Sequence, residues 1–117
     1  MSENYTWSKL REKAYQAAKQ SHDLSGAGRG AAGLSSKGVV VLGSSMSNPV
    51  NSLKLCAECS MITNMISKGG GLIKMLVIVD LQNNIVEPCG KCEVSLSEYT
   101  NPESLILTNQ GESSLKP

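Results

Sequence analysis

Phenylalanine is absent from this chain of 117 residues, and aromatic residues amount to 3%, namely Tyr5, Trp7, Tyr15 and Tyr99. The core must therefore be built from aliphatic side chains, methionine and alanine. The stacking rings on which single-stranded nucleic acid is bound are also scarce. An excess of one charge is missing too: eleven Lys and Arg stand against ten Asp and Glu, a formal +1. Such a balance offers no basic field to a polynucleotide backbone, so polynucleotide editing is disfavoured. The longest apolar run, Met75 to Val79, falls far short of the roughly 20 residues that cross a bilayer. Lys9, Arg11, Glu12 and Lys13 interrupt the N-terminal stretch, which leaves no signal-peptide core. The one histidine, His22, has no second ligand type nearby and reads as an ordinary helix-end residue. What is present, 40% hydrophobic and 18% charged residues, suffices for a packed core in a single domain over residues 1–117. The expectation is a small cytoplasmic protein with no membrane association.

The pattern along the chain alternates helix with strand. Trp7, Leu10, Ala14, Ala17 and Ala18 recur at helical spacing within residues 6–21. Residues 24–38 are rich in small side chains, and six of the eleven glycines lie between Gly26 and Gly43. This stretch reads as loop, or as strand with close backbone approach. Val39 to Leu42 is a short buried strand closing at Gly43. A polar connection through Asn48 and Pro49 leads to a second helix from Leu53, with Leu55, Cys59, Ile62 and Ile66 on one face, stopped by Gly69-Gly70-Gly71. Met75 to Val79, ending in Asp80, has the continuous apolar character of a strand covered on both sides. Pro88 opens a third helix with Val94, Leu96 and Tyr99 toward its inner face, and Ser104 to Leu107 forms a last strand. From Asn109 the tail is polar and is expected to fray. Met61, Met65 and Met75 read as core filler. The order predicts an α/β fold, a sheet flanked by helices.

The chemistry is concentrated in Cys56-Ala57-Glu58 and Pro88-Cys89-Gly90-Lys91-Cys92. Paired cysteine spacing in a reducing compartment points to metal before disulfides. Cys56, Cys89 and Cys92 would give zinc three thiolates and leave one tetrahedral position open to water, as in a catalytic site. Glu58 would then shuttle protons. Three thiolates outweigh the charge of the ion, and placing both groups at helix N-termini offsets this through free N–H groups and the helix dipole. Lys91, between two ligands, adds a further positive charge or is a solvated surface residue. The competing reading takes all four cysteines as two C-x-x-C pairs closing a structural zinc site in a non-catalytic binding module. Against it, the 29 residues from Ser60 to Pro88 carry a helical pattern and a buried strand. On the catalytic reading Cys59 packs in the core as a small apolar residue.

C-A-E followed by P-C-G-x-C resembles the three-cysteine signature of the small cytidine deaminases, which blasticidin-S deaminase shares. Gly30-Ala31-Ala32 is similar to the family's V-G-A-A strand, and the likeness runs from about Leu10 to Leu107. The resemblance implies a three-layer α-β-α fold with a mixed sheet. It also implies zinc on Cys56, Cys89 and Cys92, proton transfer by Glu58, pyrimidine contacts from the backbone around Ala57, and a nucleoside or base as substrate. Homotetramers are usual in the family, and the same assembly is expected here. The reaction implied is addition of water to the amine-bearing ring carbon with loss of ammonia. Departures fall around the substrate: Ser45 and Ser47 stand where the family has Asn and Glu in N-x-E, and Ala27 where it has Phe in S-x-F. Arg29 replaces Val, Glu93-Val94 replaces Arg-Gln, and the C-terminal Phe segment is missing. Weakened cytidine binding, or a modified nucleoside or blasticidin-S-like substrate, is the expected consequence.

Overall fold

A computed structural model of the chain describes residues 6–22, 28–47, 55–88 and 90–115. Helix α1 (Trp7–Lys19) is capped by Thr6, whose hydroxyl accepts from the Lys9 N–H, and it buries Leu10, Ala14, Ala17 and Ala18. The small-residue stretch resolves as strand β1 (Arg29–Ser35), which pairs antiparallel with β2 (Val40–Ser44) on one side and with β3 (Ile73–Asp80) on the other. Strand β4 (Leu105–Thr108) runs parallel to β3, and β5 (Gly111–Ser114) antiparallel to β4, giving the order β2-β1-β3-β4-β5. Helices α2 (Ala57–Ser67) and α3 (Gly90–Glu98) supply the remaining layer.

Period-two alternation sorts the side chains between two cores. Ala31, Leu76 and Ile78 pack with Met61, Ile62 and Met65 of α2 and Leu96 of α3. Their sequence neighbours Ala32, Val77 and Val79 pack with Leu10, Ala14 and Ala18 of α1 on the opposite face. The mixed sheet between helix layers is the α-β-α sandwich expected. Because β1 and β3 are covered on both sides, their residues read as continuous apolar or small runs instead of alternating ones.

Several local expectations are corrected. Residue 55 lies in a bridge, and α2 begins only at Ala57. Ile66 is 50% exposed; the buried stripe is Ala57, Met61, Ile62 and Met65. Val94, placed on the inner face of α3 by spacing, is 69% exposed, while Leu96 is buried. Pro88 precedes α3 by two residues instead of opening it. The tail expected to fray from Asn109 instead turns at Gly111 (φ +102°) and pairs as β5. Glu112 of that strand accepts a 2.5 Å hydrogen bond from the Trp7 indole, and Leu115 N–H bonds to the Ser104 carbonyl. Hydropathy alone gives no sign of these long-range ties.

At the end of β3 the Asp80 carboxylate accepts from the backbone N–H groups of Gln82 and Asn84, each at 2.9 Å. The backbone hydrogen bond from Asn84 holds this carboxyl below its ordinary value; those from Gln82 and the Asn84 side chain, and Arg29 opposite, reinforce it against the opposing effect of burial. A carboxyl depressed in the folded state stabilises fully above its unfolded value, 3.8, and that contribution is lost as pH falls through the folded value. Asp80→Asn should therefore lower Tm at neutral pH and converge on the parent as pH falls through the depressed folded-state value. Thermal melts across this range check it; a gap constant with pH would rule out the charge as its source.

Candidate active site

The segment after β2 is held from two sides. The His22 N–H bonds to the Ser45 carbonyl and the Ser47 N–H to the His22 carbonyl, at 3.0 and 2.8 Å. On the other side Met46 and Leu55 exchange both backbone hydrogen bonds at 2.9 Å. Backbone pairing thus brings residues 45–47 alongside Leu55, the residue before Cys56. Ser45 is buried, its N–H bonded to the Arg29 carbonyl and its hydroxyl accepting from the Arg29 N–H at 2.9 Å. Ser47 is half-buried. His22 accordingly serves as a backbone splice between α1 and this segment, and its ring is not needed to explain its place.

Cys56 is the N-cap of α2, with extended backbone (φ −76°, ψ 154°) and no side-chain hydrogen bond to the helix N–H groups. An N-cap serine would spend its oxygen on those donors; here the sulfur does not. Ala57 and Glu58 follow in the first turn, 1% and 2% exposed. Glu58 is the one acidic side chain buried among the described residues. Placing a carboxyl there costs free energy unless it is compensated, which marks the position as chemical more than structural. The helix N-terminus supplies one favourable influence, since its dipole favours negative charge in the first turn.

The depth of α2 against the sheet depends on Gly43. A Cβ at that position would lie 2.2 Å from the Ala57 carbonyl oxygen and 2.4 Å from the Met61 nitrogen. The first turn of α2, with Cys56 and Glu58, is thereby seated directly on β2. Gly30 has the same relation to α1, where a Cβ would meet the Ala14 carbonyl oxygen at 2.1 Å.

Cys92 is fully buried near the start of α3, and its Sγ lies 3.3 Å from the Sγ of Cys59. Cys59 is only partly buried, where packing inside the core was expected. Its position three residues after Cys56 on a helix was the available signal, because i and i+3 share a face. Cys89, Ala27 and the side chain of Lys91 lie outside the described residues. Among the described residues no group of three or more His, Cys, Asp and Glu side chains is placed to hold a metal. Cys56 and Cys92, at the starts of two helices on the same face of the sheet, nevertheless have donor chemistry that suits zinc. No helix among the described residues is long and apolar enough to cross a membrane.

Residues 5–108 match the family model described as the cytidine and deoxycytidylate deaminase zinc-binding region. The chain belongs to this family, whose cofactor is zinc. Among individual relatives, it is 39% identical over 101 residues to cytidine deaminase from Mycobacterium tuberculosis (strain CDC 1551 / Oshkosh), covering 86% of this chain and 76% of that protein. The crystal structure of cytidine deaminase from M. tuberculosis superposes with a TM-score of 0.90 at 35% identity, covering 96% of this chain and 92% of that one. The Mycobacterium leprae cytidine deaminase structure gives 0.90 at 33% identity, covering 96% and 95%.

Proposed function

We propose that this protein deaminates a cytidine-like aminopyrimidine by hydrolysis, with Cys56, Cys89 and Cys92 holding zinc, Glu58 moving protons and an altered sugar site at Ser45 and Ser47. The observation that carries the reading is the buried carboxyl of Glu58, two residues beyond the helix-capping Cys56. The names of the M. tuberculosis and M. leprae relatives support it. Zinc held by these thiolates would supply Lewis-acid activation of a water molecule. Glu58 takes a proton from the attacking water and delivers it to the ring nitrogen beside the amine-bearing carbon. It then carries the second proton to the amine as the carbon–nitrogen bond breaks, so water and cytidine give uridine and ammonia. On this reading the backbone around Ala57, on the buried first turn of α2, would contact the pyrimidine. Burial of this turn excludes bulk water from the proton path.

The hydroxyl of Ser45 is already engaged with Arg29, and Ser47 offers no carboxylate to a ribose hydroxyl. A lost charged hydrogen bond of roughly 1.5–3 kcal/mol corresponds to about 10–150-fold in affinity. Ser47→Glu is expected to raise kcat/KM for cytidine within that range and to leave cytosine unaffected. A screen of cytosine, cytidine, deoxycytidine and modified nucleosides by ultraviolet absorbance checks both statements. Absence of turnover of every aminopyrimidine by zinc-loaded protein would defeat the enzymatic reading.

The second reading, a closed four-cysteine zinc module, draws on the 3.3 Å approach of Cys59 to Cys92. It requires Cys59→Ser to release zinc as readily as Cys56→Ser; the catalytic reading requires release from Cys56→Ser alone. Metal analysis of the two variants separates them. A homotetramer is expected from the family resemblance alone, and a monomer at micromolar concentration in gel filtration would contradict it. A cytoplasmic location suits a site built on thiols.

A further inference from the structure

The catalytic scheme leaves Cys59 without a task, yet it lies against a cysteine of the proposed ligand set. Its Sγ stands 3.3 Å from that of Cys92. A disulfide has its sulfurs about 2.04 Å apart, so bonding requires a closing of little more than an ångström. The two residues sit on different helices, in the first turn of α2 and near the start of α3. Their contact therefore depends on how these helices pack, and the core around Ile62 and Leu96 sets that packing. Access is unequal: Cys92 is fully buried while Cys59 is only partly buried. A small oxidant meets Cys59 first.

We propose that Cys59 and Cys92 form an oxidation site, closed to a disulfide by peroxides, and that closure withdraws Cys92 from the zinc-binding set. Peroxide oxidises the Cys59 thiol to a sulfenic acid, its O–O bond breaking and one water leaving. The Cys92 sulfur then attacks the Cys59 sulfur, the S–O bond breaks, and the hydroxyl departs with the thiol proton as a second water. Two electrons pass from the two thiols to the peroxide, and a dithiol reverses the change. Loss of zinc as the consequence rests on the ligand set proposed above; formation of the disulfide does not.

Zinc is first quantified in the reduced, purified protein, which is then exposed to hydrogen peroxide and digested without reductant for mass spectrometry. The expected products are a cross-linked peptide pair containing Cys59 and Cys92, protein lighter by two hydrogens, and zinc captured by a chromogenic chelator. Cys59→Ala and Cys59→Ser are each expected to retain zinc and turnover before peroxide and to release zinc about tenfold more slowly afterward, because the resolving partner is gone. Failure to find the Cys59–Cys92 peptide, with other pairings or sulfinic acids in its place, overturns the proposal. So does zinc release from both variants at the parental rate. Protein that holds no zinc before oxidation counts against the ligand assignment alone, and the cross-linked peptide still decides whether the pair exists.

Discussion

Glu58→Gln is expected to lower the deamination rate by about 10²–10⁴-fold, the range a positioned general acid–base group contributes, without loss of zinc. The substitution keeps the volume and shape of a side chain that is 2% exposed, so packing around Ala57 and Met61 is conserved. What it removes is the ability to accept a proton from water and return it to the ring and to the amine. With shape and volume kept, Tm is expected to stay close to the parent. Steady-state kinetics, metal analysis and a thermal melt on one preparation check the three statements together. Parental turnover in Glu58→Gln would remove this residue from the proton path. Loss of zinc alongside activity would assign it to the metal instead.

The second large effect is expected at Gly43, where the limit is space and not backbone conformation. Two backbone atoms of α2 lie 2.2 and 2.4 Å from where a Cβ would be placed, and backbone cannot rotate aside as the end of a side chain can. Gly43→Ala must lift the first turn of α2 from the sheet. Overpacking of a core costs roughly 1–3 kcal/mol, and contact with helix backbone in place of a movable side chain puts this case at the upper end. The same displacement moves Cys56 and Glu58, and misplacement of a catalytic group by about 1 Å can cost on the order of 100-fold in rate. A fall in Tm together with a fall in kcat of this order, with KM less affected, is the expected result. Unchanged stability and rate would show that α2 can be seated at another depth without consequence.

The apolar run of β3 and the small residues of β1 announce strands covered on two sides, and the alanines of α1 announce a helix lying close to a sheet. The family signature was equally legible, since within each group, Cys56 with Glu58 and Cys89 with Cys92, the residues stand close enough in sequence for spacing to carry meaning. Errors arose where spacing gives a helix face but not its covering. Ile66 and Val94 fit a stripe as well as Met61 and Leu96 do, yet they are exposed. Polar residues 111–114 gain a strand from pairing with β4, and their own propensity gave no sign of it.

The amino-acid order alone thus determined the class of chemistry and the alternation of elements, because both depend on residue type and on separations of a few positions. Tertiary structure alone decided that Cys59 faces Cys92, that Met46 is paired with Leu55 ahead of Cys56, and that Gly43 admits the first turn of α2. Each of these joins elements distant along the chain, and such contacts are selected by how the layers pack against one another, a property that no local pattern encodes.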